Sequence, residues 1–191
     1  MALRKEEKNG ILLYITDSGN VIIDPINYSR FLEEKIVQAE NDPLRNFLTT
    51  LIGLGSKPIQ GRIMLIKEAF MFYQEKLRDL HSKPLIGFFP HRYGPFSRDI
   101  AIEIKAMARD GLVRVDEEGG VALTDLGKIA FRKITESYPG ELKADLMNYR
   151  KGLDELGSDG IMRYVYENFI DYTLNSKVKS RYLKNGRTEH Q

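Results

Sequence analysis

The chain has 191 residues, 42% of them hydrophobic and 29% charged, with a net charge of +2 and no cysteine. That composition belongs to a globular protein able to bury a real core, either as one domain with extensions or as two small ones. The absence of cysteine excludes disulfides and thiolate chemistry. Together with the charged start Arg4-Lys5-Glu6-Glu7-Lys8 and the lack of a long apolar run, it predicts a cytoplasmic protein with no signal peptide and no membrane partner.

Ile11 to Ile15 and Val21 to Ile23 flank Asp17-Ser18-Gly19-Asn20, the pattern of a β-hairpin. Asp24-Pro25 can cap and open a helix with Tyr28, Leu32, Ile36 and Ala39 on one side. Asn41-Asp42-Pro43 ends that helix and caps the next, whose inner face is Leu44, Phe47, Leu48 and Leu51. Gly53-Leu54-Gly55-Ser56-Lys57-Pro58 lacks the spacing and the final Lys-Ser/Thr of a phosphate loop and follows a helical pattern, so it reads as a plain turn.

Gly61 to Leu80 is predicted as a long helix. Ile63, Ile66, Phe70, Tyr73 and Leu77 make one stripe, and Met64, Leu65, Met71 and Phe72 extend it round most of the circumference. A helix apolar on most sides is buried in a core or a dimer interface. Phe88-Phe89 suits a short strand. Pro90 and Pro95 then bracket His91-Arg92-Tyr93-Gly94 as a turn leading to a helix. Ser97 sits at the N-cap, Ile100, Ile104, Met107 and Ala108 form the inner stripe, and Gly111 ends the helix.

Leu112 to Val115, the turn Asp116-Glu117-Glu118-Gly119-Gly120 and Val121 to Leu123 read as strand, tight acidic turn and strand. Thr124 caps a helix carrying Leu126, Ile129, Ala130 and Ile134 inside. Leu142, Leu146, Tyr149, Leu153 and Leu156 repeat at alternating four and three, a narrow seam for packing on the domain or on a second copy. Ser158 caps a last helix with Ile161, Val165 and Phe169 inside. From Ser176 onward five basic residues face one acid, so the basic character lies in the tail and the remainder is faintly acidic.

The order helix, strand, acidic turn, strand, capped helix is that of a winged helix. Leu123-Thr124-Asp125-Leu126-Gly127 resembles the L-T-x-x-G that follows the wing in many prokaryotic winged-helix regulators. Arg92-Tyr93-Gly94-Pro95-Phe96-Ser97 resembles the Y-G-P-[FY]-S motif of a poorly characterised prokaryotic winged-helix family, and a related Y-G-P occurs in the Panacea-type antitoxin domain. The tail segments Tyr164-Val165-Tyr166 and Tyr172 to Lys177 are similar to a C-terminal pattern of the first family. The likeness spans Lys57 to Lys179 and implies no enzyme. The expected fold is α+β, mainly α with small β elements: a winged helix-turn-helix over 43–137. It follows an N-terminal hairpin and helix (1–42) and precedes C-terminal helices (138–175) and a basic flexible tail (176–191).

Catalytic constellations are missing. His81, His91 and His190 lack metal-ligand spacing, no H-E-x-x-H or G-x-S-x-G occurs, and the adjacent carboxylates Glu6-Glu7, Glu33-Glu34 and Glu117-Glu118 point apart. The chain is therefore expected to be non-enzymatic, with no cofactor and no metal. The leading expectation is a homodimeric DNA-binding transcriptional regulator whose helix 97–110 enters the major groove. Its candidate contacts are Arg98, Lys105 and Arg109, with Arg92 and Tyr93 leading in and Lys177, Lys179 and Arg181 adding affinity from the tail. Three features count against it. Asp99, Glu103 and Asp110 balance the helix near zero, and Asp116-Glu117-Glu118 set three carboxylates where phosphates would lie. The segment between Leu80 and Ser97, which contains the Phe88-Phe89 strand, is longer than the few residues that join the helices of a helix-turn-helix. The alternative is a protein-interaction module of antitoxin-like type on the same fold, holding its partner by an apolar surface near Phe70 to Tyr73 or Tyr164 to Tyr172.

Overall fold

A computed structural model describes residues 3–8, 11–16, 21–23, 25–76 and 83–183. The architecture is α+β, mainly helical with small antiparallel sheets. The charged start forms strand β1 (Leu3–Lys8), which pairs with β2 (Ile11–Thr16), and β2 pairs with β3 (Val21–Ile23). The hairpin expected between Ile11 and Ile23 is thus present, with Leu13 opposite Ile23. Its turn and the Asp24 cap lie outside the described residues. β1 was not legible because five consecutive charges mask a strand that alternates on an open sheet.

Helix α1 (Pro25–Asn41) gives way to α2 (Pro43–Leu54) at Asp42, whose carboxylate accepts the Leu44 and Arg45 N–H groups. Phe47, Leu48 and Leu51 on α2 are fully buried, each contributing about 1.5–3 kcal/mol by area. The 55–58 segment is a turn without helix or strand. Short strand β4 (Ile59–Gln60) leads into α3 (Gly61–Lys76); the rest of the expected helix, with Leu77, lies outside the described residues.

α3 is the spine. Every residue from Met64 to Phe72 is buried, including Lys67 and Glu68. Phe47 and Tyr149 flank Phe72, while Phe88, Phe169 and Tyr172 surround Phe70 at 4.7–5.1 Å between ring centroids. Ile63, expected inside, is about half exposed on the first turn.

The proline-bracketed segment is a second hairpin rather than a plain turn. β5 (Phe89–His91) pairs with β6 (Gly94–Phe96), with Pro90 facing Pro95 and His91 facing Gly94. A proline can sit in each strand because the two-stranded ribbon consists only of edges. Gly94 has φ +84°, and a Cβ there would meet the Tyr166 ring and the Lys67 side chain at 3.4–3.5 Å. The backbone angle calls for glycine, and the space would admit a Cβ in ordinary contact. Ser97 is buried and caps α4 (Arg98–Arg109), accepting the Ile100 N–H. Gly111 follows with φ +77°.

β7 (Val113–Val115) and β8 (Gly120–Leu123) form the next hairpin, and β4 adds to it in the order β4-β8-β7. α5 (Asp125–Glu136) packs on α1 and α2. Thr124 joins these elements: its hydroxyl donates to the Gly111 and Leu112 carbonyls and accepts the Gly127 N–H. Gly127 lies so close to the Leu112 carbonyl that a Cβ would overlap the oxygen. The Leu-Thr-x-x-Gly motif is thus a clamp between a helix start and a strand entrance. Ile129, expected inside, is 40% exposed.

The two expected C-terminal helices follow each other over α6 (Gly140–Asn168), with a kink between them at Gly157, where φ is +61°. The seam packs on α3 of the same chain: Leu146 and Leu153 are buried, Tyr149 is half-buried and Leu156 is exposed. Arg150, fully buried, meets Glu68 at 3.2 Å and Asp154 at 2.6 Å. A 3-10 turn (Ile170–Thr173) and α7 (Lys179–Tyr182) follow. The basic segment begins docked: Ser176 bonds the Tyr166 hydroxyl and the Arg92 carbonyl, and Tyr182 packs on Tyr166. Residues 184–191 lie outside the described ones. No helix among the described residues is long and apolar enough to cross a membrane.

Two stability predictions follow from these contacts. Gly127→Ala forces α5 off the Leu112 carbonyl and should cost about 1–3 kcal/mol, seen as a lower midpoint in thermal and urea unfolding. Arg150→Met leaves Glu68 buried without its cation and should cost about 3–5 kcal/mol, whereas the double substitution with Glu68→Leu should recover most of it.

Candidate nucleic-acid interface

α4 carries three distinct faces. At 3.6 residues per turn, Arg98, Ile102, Lys105 and Arg109 fall within an arc of roughly 60°. Asp99, Glu103 and Asp110 fall within another of roughly 40°, about a third of a turn away. Ile100, Ile104 and Met107 form the buried third face.

The acidic face is turned to other helices. Arg45 of α2 donates its Nε to Glu103 at 2.6 Å and meets Asp110 at 2.8 Å through Nη1. Lys35 of α1 reaches Asp110 at 3.2 Å. Burial opposes ionisation of Asp110, but hydrogen bonds from Arg45 and Lys35 outweigh it and hold the carboxyl below its ordinary range. Asp99, at the first turn, accepts the Gly87 N–H at 3.3 Å.

The basic face is free of such partners. Arg98, Lys105 and Arg109 are exposed and make no ion pair among the described residues. Ile102, in their midst, is 66% exposed. The near-zero charge sum expected for this helix is correct as arithmetic but does not describe its surface, because two of its three acids, Glu103 and Asp110, are engaged at the α1–α2 contact, while Asp99 stays exposed.

Arg92 and Tyr93 sit exposed at the tip of the β5–β6 hairpin, which leads directly into α4. Lys177 is beside them: its backbone N–H donates to the Arg92 carbonyl at 2.9 Å. Tyr93 and His91 share a cavity of about 170 Å³ with Arg62, Ile63 and Lys67 of α3. Arg62 therefore joins the candidates, though no motif marked it; its only sequence signal was a cation at the start of a helix. Lys179 and Arg181 lie apart on α7, packed on α6, where Arg181 bonds Asp159 at 3.3 Å. The eight expected contacts thus form a helix stripe (Arg98, Lys105, Arg109), a hairpin-tip group (Arg92, Tyr93, Lys177) and a separate pair.

The acidic turn presents all three expected carboxylates: Asp116, Glu117 and Glu118 are exposed, and one oxygen of Asp116 also accepts the Gly120 N–H at 2.6 Å. The start of α3 is its neighbour: Gly119 lies against the Gly61 backbone.

Behind the hairpin, Lys67 donates to the Pro95 carbonyl at 2.6 Å. Burial lowers this ammonium to about 8. Its neighbour Glu68 is pushed up to about 7 by burial, against the pull of Arg150. Among the described residues no three His, Asp or Glu side chains gather as a metal would require. No protein-family model, curated protein or solved structure matches this chain.

The Lys67 shift makes a pH prediction. The unfolded chain keeps the Lys67 proton to about 10.5, while the folded chain releases it near 8. Between these values the unfolded state binds more protons, so raising pH stabilises the fold. Relative to Lys67→Met, the wild type should gain on the order of 2 kcal/mol between pH 7 and 10 in urea unfolding. A difference that stays flat across this range would mean that the ammonium is not desolvated.

Proposed function

We propose that residues 43–137 form a winged-helix unit that binds duplex DNA as a transcriptional regulator, with α4 as the reading helix. The order α2-β4-α3-α4-β7-β8, interrupted between α3 and α4 by the β5–β6 hairpin, with β4 added to the β7–β8 hairpin, supports the fold reading. One observation carries the function: α4 turns Glu103 and Asp110 inward to Arg45 and Lys35 and leaves Arg98, Lys105 and Arg109 outward and without an ion pair, against the single exposed acid Asp99. Arginine suits guanine edges and lysine suits phosphate, while an exposed isoleucine among them suits a thymine methyl. Arg62 at the start of α3 and Arg92 on the hairpin add phosphate contacts at the flank. The protein acts without catalysis, as a cytoplasmic homodimer reading paired half-sites.

A second reading, a protein-interaction module of antitoxin-like type, is favoured by the exposed Ile102 and by the outward Glu117-Glu118 pair, which would repel phosphate. Fluorescence anisotropy against the duplex upstream of the coding region and a scrambled duplex, at low and near-physiological salt, separates the two. For DNA binding, Arg98→Ala and Arg109→Ala should each cost about 1–3 kcal/mol and relax specificity. Lys105→Ala should lower the salt slope by about 1 for every sequence tested. Glu117→Lys should tighten binding to both duplexes. Weak binding that is equal for both duplexes, vanishes with salt and is unmoved by these substitutions would leave the protein-partner reading.

A further inference from the structure

A pocket of about 500 Å³ lies away from α4, between α3 and α6. Met71 and Glu75 of α3 form one wall, and Tyr149, Gly152 and Leu153 form another. Tyr164, beyond the break at Gly157, forms the third. The volume falls in the range of small-molecule sites, and the lining is mostly apolar and aromatic with few polar groups, as such sites are.

Its charge is one-sided. Glu75 is half-buried and accepts the Tyr164 hydroxyl at 2.9 Å through one oxygen. Burial raises the Tyr149 and Tyr164 hydroxyls, and the nearby Glu75 charge raises them further, so both rings stay neutral. Glu155 at the rim lies 3.7 Å from Lys151, on the solvent side. No basic residue lines the pocket. Lys76 is turned to Asp145 at 2.7 Å and sits over the Tyr149 ring at 5.3 Å, so that ring already accepts an ammonium at its face. A carboxylate beside the hydroxyls of two neutral tyrosines, in a pocket also lined by a thioether and two leucines, is the chemistry that recognises organic cations.

We propose that this pocket binds a small organic cation, an ammonium carrying an aromatic or branched apolar group, with its charge on Glu75 and its apolar body against Met71, Tyr149 and Leu153. Gly152 keeps the wall open: a Cβ there would meet nothing within 4 Å. The site is separate from the DNA reading, because ligand binding is measured without DNA and α4 lines no part of it.

The test is a calorimetric titration of the full chain with three probes: benzyltrimethylammonium, its neutral isostere neopentylbenzene and the anion phenylacetate. The cation should bind saturably, with a midpoint below about 1 mM, and the other two should bind more weakly by about tenfold or more. Glu75→Gln should weaken the cation by about tenfold, the loss of one charge contact, and Gly152→Phe should abolish binding by filling the space. Thermal unfolding of both variants should match the wild type, so that lost binding reports the site rather than the fold. The proposal is overturned if the neutral probe binds as well as the cation, if Glu75→Gln leaves the affinity unchanged, or if no saturable binding occurs up to about 10 mM.

Discussion

Two adjacent charges buried on α3 orient the rest of the structure. The helix is inaccessible from Met64 to Phe72, and its apolar side chains surround it. Such a helix gains about the same burial in many rotations, so hydrophobicity alone sets its depth and not its azimuth. Lys67 and Glu68 remove that freedom. Neighbouring helical residues leave the axis about 100° apart, so one rotation must deliver the ammonium to the Pro95 carbonyl and the carboxylate to Arg150 at once. Any other rotation strands a charge in the core at a cost of several kcal/mol.

From that fixed rotation the neighbours inherit their places. Glu68 takes Arg150, and with it the first segment of α6, whose guanidinium also meets Asp154 and stands against Gly55 at the end of α2. Lys67 takes Pro95, and with it the β5–β6 hairpin. The hairpin carries Ser97 to the start of α4 and holds the C-terminal segment through the Arg92 carbonyl. Phe70, one turn from Lys67, is packed by Phe88, Phe169 and Tyr172, so the same face of α3 joins the hairpin approach to the C-terminal turn.

Much of this was legible in the chain. Asp42, Ser97 and Thr124 cap the helices that they were expected to cap, because a side-chain acceptor placed before an apolar stripe has a local use. The acidic hairpin over 113–123 follows from alternation around two glycines. The β5–β6 hairpin was hidden because prolines read as breakers, and its pairing partner is a second proline strand of three residues. The partners of Lys67 and Glu68 were hidden because they lie 28 and 82 positions away, and no local pattern marks a charge for burial. The division of α4 into basic and acidic arcs was available from its periodicity; summing the charges erased it. What periodicity could not give is the direction of each arc, which depends on Arg45 and Lys35 in two other helices.

That direction decides what a partner meets. Glu103 and Asp110 lie 2.6–3.2 Å from fixed cations, and a pair at that separation presents only a dipole to solvent, whose field falls off faster than that of a charge. Arg98, Lys105 and Arg109 have no such partner and act as monopoles over a screening length of about 8–10 Å at physiological salt. Of the charges on this helix that meet solvent without an ion-pair partner, three are basic and one, Asp99, is acidic. Its outward balance is therefore positive although the helix carries as many acids as bases, and the body of the protein can be faintly acidic without losing a basic face. Asp116, Glu117 and Glu118 oppose this only near their own turn, because they stand on a different element. Glu103 and Asp110, two of the three acids that cancel the charge sum, also bind α4 to α1 and α2, so holding the helix in place and exposing its basic stripe are one arrangement.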